Sequence, residues 1–392
     1  MRHLKTRNFL IIFLAFIAIL ALTLSACQKK AEEKKAEVKG QKEEVIKIGA
    51  ILPLTGPVSH IGVWQKNGIT IAQSEINNNK ESSFKVKVLF EDSKGQAKDA
   101  ISAFNKLYNV EKVNIIISSM SAIGLPLVPL ADEKKIPVIM LATSYPGISE
   151  RSEWVFRNHP GSEDEAELMA KFIAKKSNIR KMGVFYLNDD FGIGAFKTFK
   201  SLYSTYGGNI VYAIPYEKKE TNFRSNISKM LSFSPEGIYV IGYLNSSAIL
   251  IKQLRESGFT KTLACNMAMS VPKYLKMVGE GFENTYFTIT TFNPDSSDKK
   301  IASFVQAYKS SFNATPNIFS AVAYDSVKMI IQAARLSNGI SPSELKEGLQ
   351  KIEVYEGIMG RLKINKNGKV IFPMIIARYE NNKLEPVWQE TD

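Results

Sequence analysis

Val45-Ile-Lys-Ile-Gly-Ala-Ile-Leu-Pro-Leu-Thr-Gly-Pro57 opens the part of this 392-residue chain that reads as a fold. Its first eight residues are apolar except for Lys47, and the run stops at Pro and Gly. A short run that is apolar on both faces is what a parallel strand needs when helices cover it on both sides. The same kind of run recurs at Val86 to Phe90, Ile115 to Ile117 and Pro137 to Leu141, then at Met182 to Leu187, Ile210 to Ile214, Gly237 to Ile241 and Tyr286 to Thr290. Between these runs the period lengthens. Ala97, Ala100, Ile101, Phe104, Leu107 and Tyr108 form one helical stripe; Phe196, Phe199, Leu202, Tyr203 and Tyr206 a second; Ile301, Phe304, Val305, Tyr308 and Phe312 a third. Strand and helix in alternation predict an α/β fold with parallel sheets.

The alternation breaks once. After Leu141 come Ala142-Thr-Ser-Tyr-Pro-Gly147 and Arg157-Asn-His-Pro-Gly161, and a fresh series of strands and helices starts beyond them. Two doubly wound sheets in series leave a cleft between them, and ligands of such sheets bind at the carboxyl ends of the strands. Length agrees, because about 350 residues are more than one core usually serves.

Upstream of Val45 the sequence changes character. Arg2, Lys5 and Arg7 precede an uncharged apolar run from Phe9 to Leu22, which closes with Leu24-Ser25-Ala26-Cys27. A cationic start, an apolar segment and small residues make an export signal. The run is also about long enough for an anchor, since crossing a ~30 Å hydrocarbon core takes roughly 20 residues. An anchor has no need of Leu-Ser-Ala-Cys, which resembles the lipobox of bacterial lipoproteins. That resemblance implies a signal peptide over 1–26 and a lipidated Cys27 as the first mature residue. Gln28 to Glu44 is almost all Lys, Glu, Gln and Ala, too poor in apolar surface to fold, and reads as a charged flexible tether over 27–44.

The formal charge is +13, of which Arg2, Lys5 and Arg7 supply three. An exported protein with scattered Lys residues is not expected to bind nucleic acid; the excess suits an anionic membrane surface or is simply Lys-rich composition. With Cys27 lipidated, Cys265 has no disulfide partner and sits among Leu263, Ala264 and Met267 as a small buried hydrophobe. Enzyme chemistry finds little purchase. Beyond His3 there are only His60 and His159, and neither a His-Glu-x-x-His nor a Gly-x-Ser-x-Gly motif occurs. Gly192-Ile-Gly194 lacks the third glycine of a dinucleotide loop, Lys197 standing in its place. No cofactor and no metal are expected.

Several segments in order carry a wider resemblance. Ile46 to Pro57 with Gly62 and Gly68, Glu91-Asp-Ser93, Ser118 to Ser121, Ala142-Thr-Ser144, Asp189-Asp-Phe-Gly192, Phe292-Asn-Pro294 and Tyr324-Asp-Ser-Val327 resemble the type I periplasmic binding proteins of the leucine/isoleucine/valine-binding family. The resemblance covers about 45 to 380. It implies two doubly wound parallel-sheet lobes joined by three crossover strands, with lobe one at 45–158 plus 290–356 and lobe two at 159–289 plus 357–392. Asn365-Lys-Asn-Gly368 reads independently as a hairpin turn. The implied role is a membrane-tethered, extracytoplasmic, monomeric solute-binding lipoprotein that hands a small carboxylate-bearing ligand, an amino acid above all, to the permease subunits of an ABC importer.

The resemblance also points to site residues. Ser118, Ser119 and Ser121 follow a buried strand, and Ser121 matches the serine that grips the ligand carboxylate. Ala142, Thr143 and Ser144 match the second clamp. Phe191, at the site of a family tyrosine, and Tyr243 would close from lobe two, and Trp64 would face the cleft. Each has a plainer reading: serines cap helices and shape turns, and tryptophans fill cores. One departure stands out. Where amino-acid binders of the family place an acid against the ammonium, this chain reads Leu263-Ala-Cys-Asn-Met-Ala-Met269, with Met267 at the expected position. A buried ammonium needs a counter-charge, so either Asp189 or Asp190 replaces it or the ligand is an aromatic or aliphatic organic acid or amide without one. A sensor reporting to a separate membrane protein is a further alternative.

Overall fold

Residues 44–389 are described by a computed structural model, and the expected signal, Cys27 and nearly all of the tether lie outside them. Within the opening stretch, Ile46, Ile48, Ala50 and Leu52 are buried on one face, and Gly49 and Ile51 on the other once the strand passes exposed Val45 and half-buried Lys47. That strand, β1 (Glu44–Leu52), lies between two parallel neighbours, β2 (Phe84–Asp92) and β3 (Ile115–Ser119). With β4 (Val138–Leu141) and β5 (Val155–Arg157) they make a five-stranded parallel sheet in the order β2-β1-β3-β4-β5. Helices α1 (Ser59–Asn78), α2 (Ala97–Asn109), the single turn α3 (Ser121–Gly124) and α4 (Val128–Lys134) connect its strands. Asp92 at the end of β2 closes the loop after β1. Its Oδ1 accepts from the Leu54 and Lys94 amides at 2.8 Å each, and its Oδ2 from the Thr55 hydroxyl at 2.6 Å.

The second series begins with α5 (Ser162–Lys171), whose last turns widen into a π-helical segment over Phe172–Lys176. It continues through β6 (Lys181–Leu187), α6 (Asp190–Thr205), β7 (Asn209–Tyr216), α7 (Arg224–Ser232), β8 (Gly237–Ile241), α8 (Asn245–Glu256), β9 (Thr262–Cys265), α9 (Pro272–Val278) and β10 (Thr285–Thr290). Their sheet runs β15-β14-β10-β9-β8-β6-β7, parallel except for the C-terminal hairpin of β14 (Met374–Glu380) and β15 (Lys383–Gln389). All eight strand-like runs of the sequence are strands of one sheet or the other.

Between β10 and that hairpin the chain returns to the first lobe. Helix α11 (Ile318–Ser337) packs lengthwise on α1, with α10 (Lys299–Phe312) and α12 (Pro342–Gln350) beside it. The approach of α1 to α11 is close enough that a Cβ on Gly68 would lie 2.0 Å from the Ser320 carbonyl oxygen. Buried Asp325 of α11 accepts from the amides of Ile358 and Met359 at 3.1 and 3.0 Å, tying down the turn between β11 (Val354–Gly357) and β12 (Gly360–Ile364). The turn at Asn365 to Gly368 joins β12 to β13 (Val370–Ile371), and these strands form a small sheet in the order β11-β12-β13, apart from the second sheet. The sequence reading moved the chain into lobe two after 356; strand pairing makes that passage between Ile371 and Met374. Three passages therefore link the lobes, at 157–162, 290–299 and 371–374. At the first, fully buried Arg157 meets Glu163 Oε1 at 2.5 Å, and Lys369 of the β12–β13 hairpin meets Glu163 and Asp164 at 3.0 and 2.7 Å.

Candidate functional site

Parallel strands deliver their loops to one end of a sheet, and here the ends of the two sheets face each other. The loops after β3 and β4 on one side and those after β6, β8 and β9 on the other frame a cleft whose empty space, its open mouth included, is about 480 Å³. From the first lobe it is lined by Ile61, Met120, Ser121, Ala142, Ser144 and Phe319; from the second by Glu165, Asp189, Phe191, Tyr243, Asn266 and Met267; and from the first crossover by His159.

Both first-lobe loops are strained. Met120 has φ 70° and Ala142 φ 45°, in the left-handed region that side chains other than glycine disfavour, and both line the cavity. The Met120 amide donates to the Leu141 carbonyl at 2.9 Å, so the two loops are locked side by side. Ser121 is buried and its hydroxyl makes no hydrogen bond to protein. Ala142 and Ser144 line the cavity and Thr143 does not. Its hydroxyl instead donates to the Leu141 carbonyl at 2.9 Å.

On the second lobe Asp189 caps α6, its Oδ1 accepting from the Gly192 amide at 2.9 Å. Gly192 must be glycine, since a Cβ there would lie 2.0 Å from the Leu187 carbonyl oxygen. Asp189 Oδ2 accepts from the Tyr243 hydroxyl at 2.5 Å and has Lys218 at 3.8 Å. Phe191 meets Tyr243 edge to face, with ring centroids 5.5 Å apart. Tyr243 is held in turn by the Tyr274 hydroxyl, which donates to its carbonyl. Asp190 is exposed and takes no part.

Trp64 does not line the cavity. Ile61 of α1 does, and Trp64, nearly one turn further along, stacks behind the wall on Phe319 at 5.9 Å and edge-on to His60 at 5.1 Å. His60 also lies 3.3 Å from both Lys273 Nζ and Tyr274 Oη of α9, so it joins the two lobes beside the cleft. Burial, with Lys273 adding, lowers its pKa to about 4 and keeps it neutral.

Three polar lining residues escaped the sequence reading. Glu165, 3% exposed, accepts from the Met267 amide at 2.8 Å and from the Thr288 hydroxyl at 2.7 Å, both on Oε2. Burial, which those two bonds only partly offset, pushes its carboxyl up to about 7. Asn266 gives its Oδ1 to the Gly242 amide at 2.9 Å, and its Nδ2 is buried without a protein partner. His159 stacks on Phe319 at 5.8 Å, and its Nδ1 is likewise unpartnered. Burial, aided by Arg157, lowers the His159 pKa to about 3, so the ring is uncharged. A signal existed for Glu165: it shares a helical face with Leu168, Met169 and Phe172, where an acid has no reason to sit unless something polar is met there.

In electrostatic terms the cavity holds two acids, and neither Lys nor Arg is among its described lining residues. Cys265, just behind Asn266, is fully buried with its thiol pKa raised by burial, as befits a packing residue.

Two α/β lobes, three crossovers and a cavity at their facing strand ends define a two-lobed solute-binding protein. A family profile described as periplasmic binding protein matches residues 45–383, and the chain belongs to that family, among its type I, leucine/isoleucine/valine-binding members. It is 24% identical over 347 residues to a Leu/Ile/Val-binding protein homolog of Brucella melitensis, covering 86% of this chain and 92% of the other. Among solved structures it resembles a leucine-binding protein of Thermotoga maritima, with a TM-score of 0.81 and 25% identity, over 88% of this chain and 98% of that one. A solute-binding protein of an ABC transporter from R. palustris, in complex with benzoate, gives a TM-score of 0.79 at 16% identity, over 88% and 96%. The fold and family are those of extracytoplasmic substrate-binding proteins serving ABC transporters. No described helix is long and apolar enough to cross a membrane.

Proposed function

We propose that this protein captures a free amino acid in the interlobe cavity and delivers it to an ABC importer, tethered to the membrane through lipid on Cys27. The observation that carries the choice of cargo is the charge of the cavity: Glu165 and Asp189 line it and, among the described residues, no cationic side chain does. A zwitterion brings its own positive charge to those acids. An organic acid brings only a negative one, to be held by neutral donors alone. The Ser121 hydroxyl and the Ser144 loop supply such donors for the carboxylate, while Phe191, Tyr243 and Phe319 cover the ligand's apolar body.

The benzoate complex of the relative from R. palustris keeps aromatic acids in view as a second reading, and the aromatic part of the lining suits them. A thermal-shift panel of L-amino acids, aromatic and aliphatic acids and amides separates the two. Binding to the folded form alone raises the melting point, by several degrees when ligand exceeds Kd a hundredfold. Amino acids are expected to give the shift; a shift with organic acids alone would replace this reading with the second.

A further inference from the structure

We propose that the Glu165 carboxylate seats a primary ammonium group of the ligand, making an amine a requirement for tight binding. The inference deepens the amino-acid reading of the cleft and rests on it.

It starts from an imbalance around one buried acid. Glu165 lies in the first turn of α5, is 3% exposed and lines the cavity, yet both of its hydrogen bonds fall on Oε2 and both come from neutral donors. The charged and titratable groups that face it do not neutralise it. On its own helix Glu163 and Asp164 are acids, already tied to Arg157 and Lys369. From β8 comes the hydroxyl of Tyr239, its pKa held well above the usual range by burial and by Glu165. The crossover brings the neutral ring of His159, and the far wall another acid, Asp189.

Asp189 is the rival for the same role, and its geometry argues against it. One of its oxygens is spent on the α6 cap, and the other on Tyr243 with Lys218 nearby. Glu165 takes both of its donors on Oε2 and, among the described residues, has no Lys or Arg in an ion pair with it. An isolated ionised carboxylate is strongly disfavoured away from water, and a ligand cation is the group that relieves it. Met267 fits the same account. It offers Glu165 its backbone amide and fills the cavity wall with an apolar side chain, so the acid comes from α5 and the loop after β9 only orients it.

Proton balance follows. With its pKa raised to about 7, Glu165 in the ligand-free protein is roughly half protonated at neutral pH. Arrival of an ammonium, which keeps its three protons, expels the carboxyl proton to solvent. Binding at pH 7 should thus release up to about half a proton. Affinity should rise with pH toward about 7 and then level, since below that value the ligand must displace a bound proton.

The test pairs each L-amino acid with the acid that lacks its amine, L-leucine with 4-methylpentanoate for example, and titrates both against wild type, Glu165→Gln and Glu165→Asp by calorimetry. Glu165→Gln keeps an acceptor for Met267 and Thr288 while removing the charge. The expected result is an amino-acid affinity at least tenfold weaker in Glu165→Gln, an amine-less acid changed less than twofold, and proton release that vanishes in the variant. Equal losses for both ligands, or no loss for either, would overturn the role of Glu165 while leaving an amino-acid binder standing. A wild type that binds only amine-less acids would overturn the broader reading as well. Should Glu165→Gln fail to fold, comparing wild-type heats in two buffers of different ionisation enthalpy decides alone: proton release supports the proposal and its absence overturns it.

Discussion

Ser121 holds a buried hydroxyl at the cavity wall without a protein partner, beside Met120 at φ 70°. On the proposed function this donor is left for the ligand carboxylate. Ser121→Ala should therefore weaken binding of the panel's amino acid by about 1–3 kcal/mol while leaving the melting point of the free protein nearly unchanged, as read by titration and thermal melting. Unchanged affinity would remove Ser121 from the binding set. At this scale the sequence was legible wherever a residue type recurs at a strand end. Ser121, Ala142, Ser144, Phe191 and Tyr243 all reach the cavity, as does Met267. It was opaque where a side chain's direction decides. Trp64 and Thr143 have the right neighbours and point elsewhere, whereas Glu165, His159 and Asn266 were not singled out as site residues. Only the folded chain shows that Glu165 and Asn266, about 100 residues apart, meet at the backbone of Met267.

Helices α1 and α11 show how an element's sequence encodes contact rather than conformation. Gly68 sits mid-helix, where it costs helix stability relative to alanine. It is kept because the Ser320 carbonyl occupies the space a Cβ would need. Gly68→Ala should destabilise the protein by about 1–3 kcal/mol through overpacking, despite the gain in helix propensity, and chemical denaturation measures it. A neutral or stabilising result would mean that the two helices slide apart without penalty. Element types were legible because parallel strands buried on both faces are apolar throughout, and because three helices carried clear stripes. Strands β5 and β9 were not, since Arg157 and Thr262 break runs already only three and four residues long. The passage after Ile371 was missed for a related reason. The hairpin turn was evident from Asn365 and Gly368, but which sheet its strands join depends on partners far away in sequence.

As a whole molecule the protein places two lobes around one small cavity, and His60 spans them beside it, contacting Lys273 and Tyr274. Ligand that touches both lobes favours this closed arrangement by the difference between its contacts in the closed and open forms. On the proposed function the closed shape is what a permease would meet, and a tether at the N-terminal side would hold it at high local concentration. The two-lobed plan was legible from the break after Leu141; the sign of the cavity's charge was not, because it depends on which acids turn inward. That sign is the centre of the account. The most direct measurement is a calorimetric titration of the wild-type protein at pH 7.5 with the best amino acid of the panel and with its amine-less counterpart. Saturable one-site binding of the amino acid, with the counterpart at least a hundredfold weaker, is the expected result. Equal affinity for the two, or tighter binding of the amine-less acid, would contradict it.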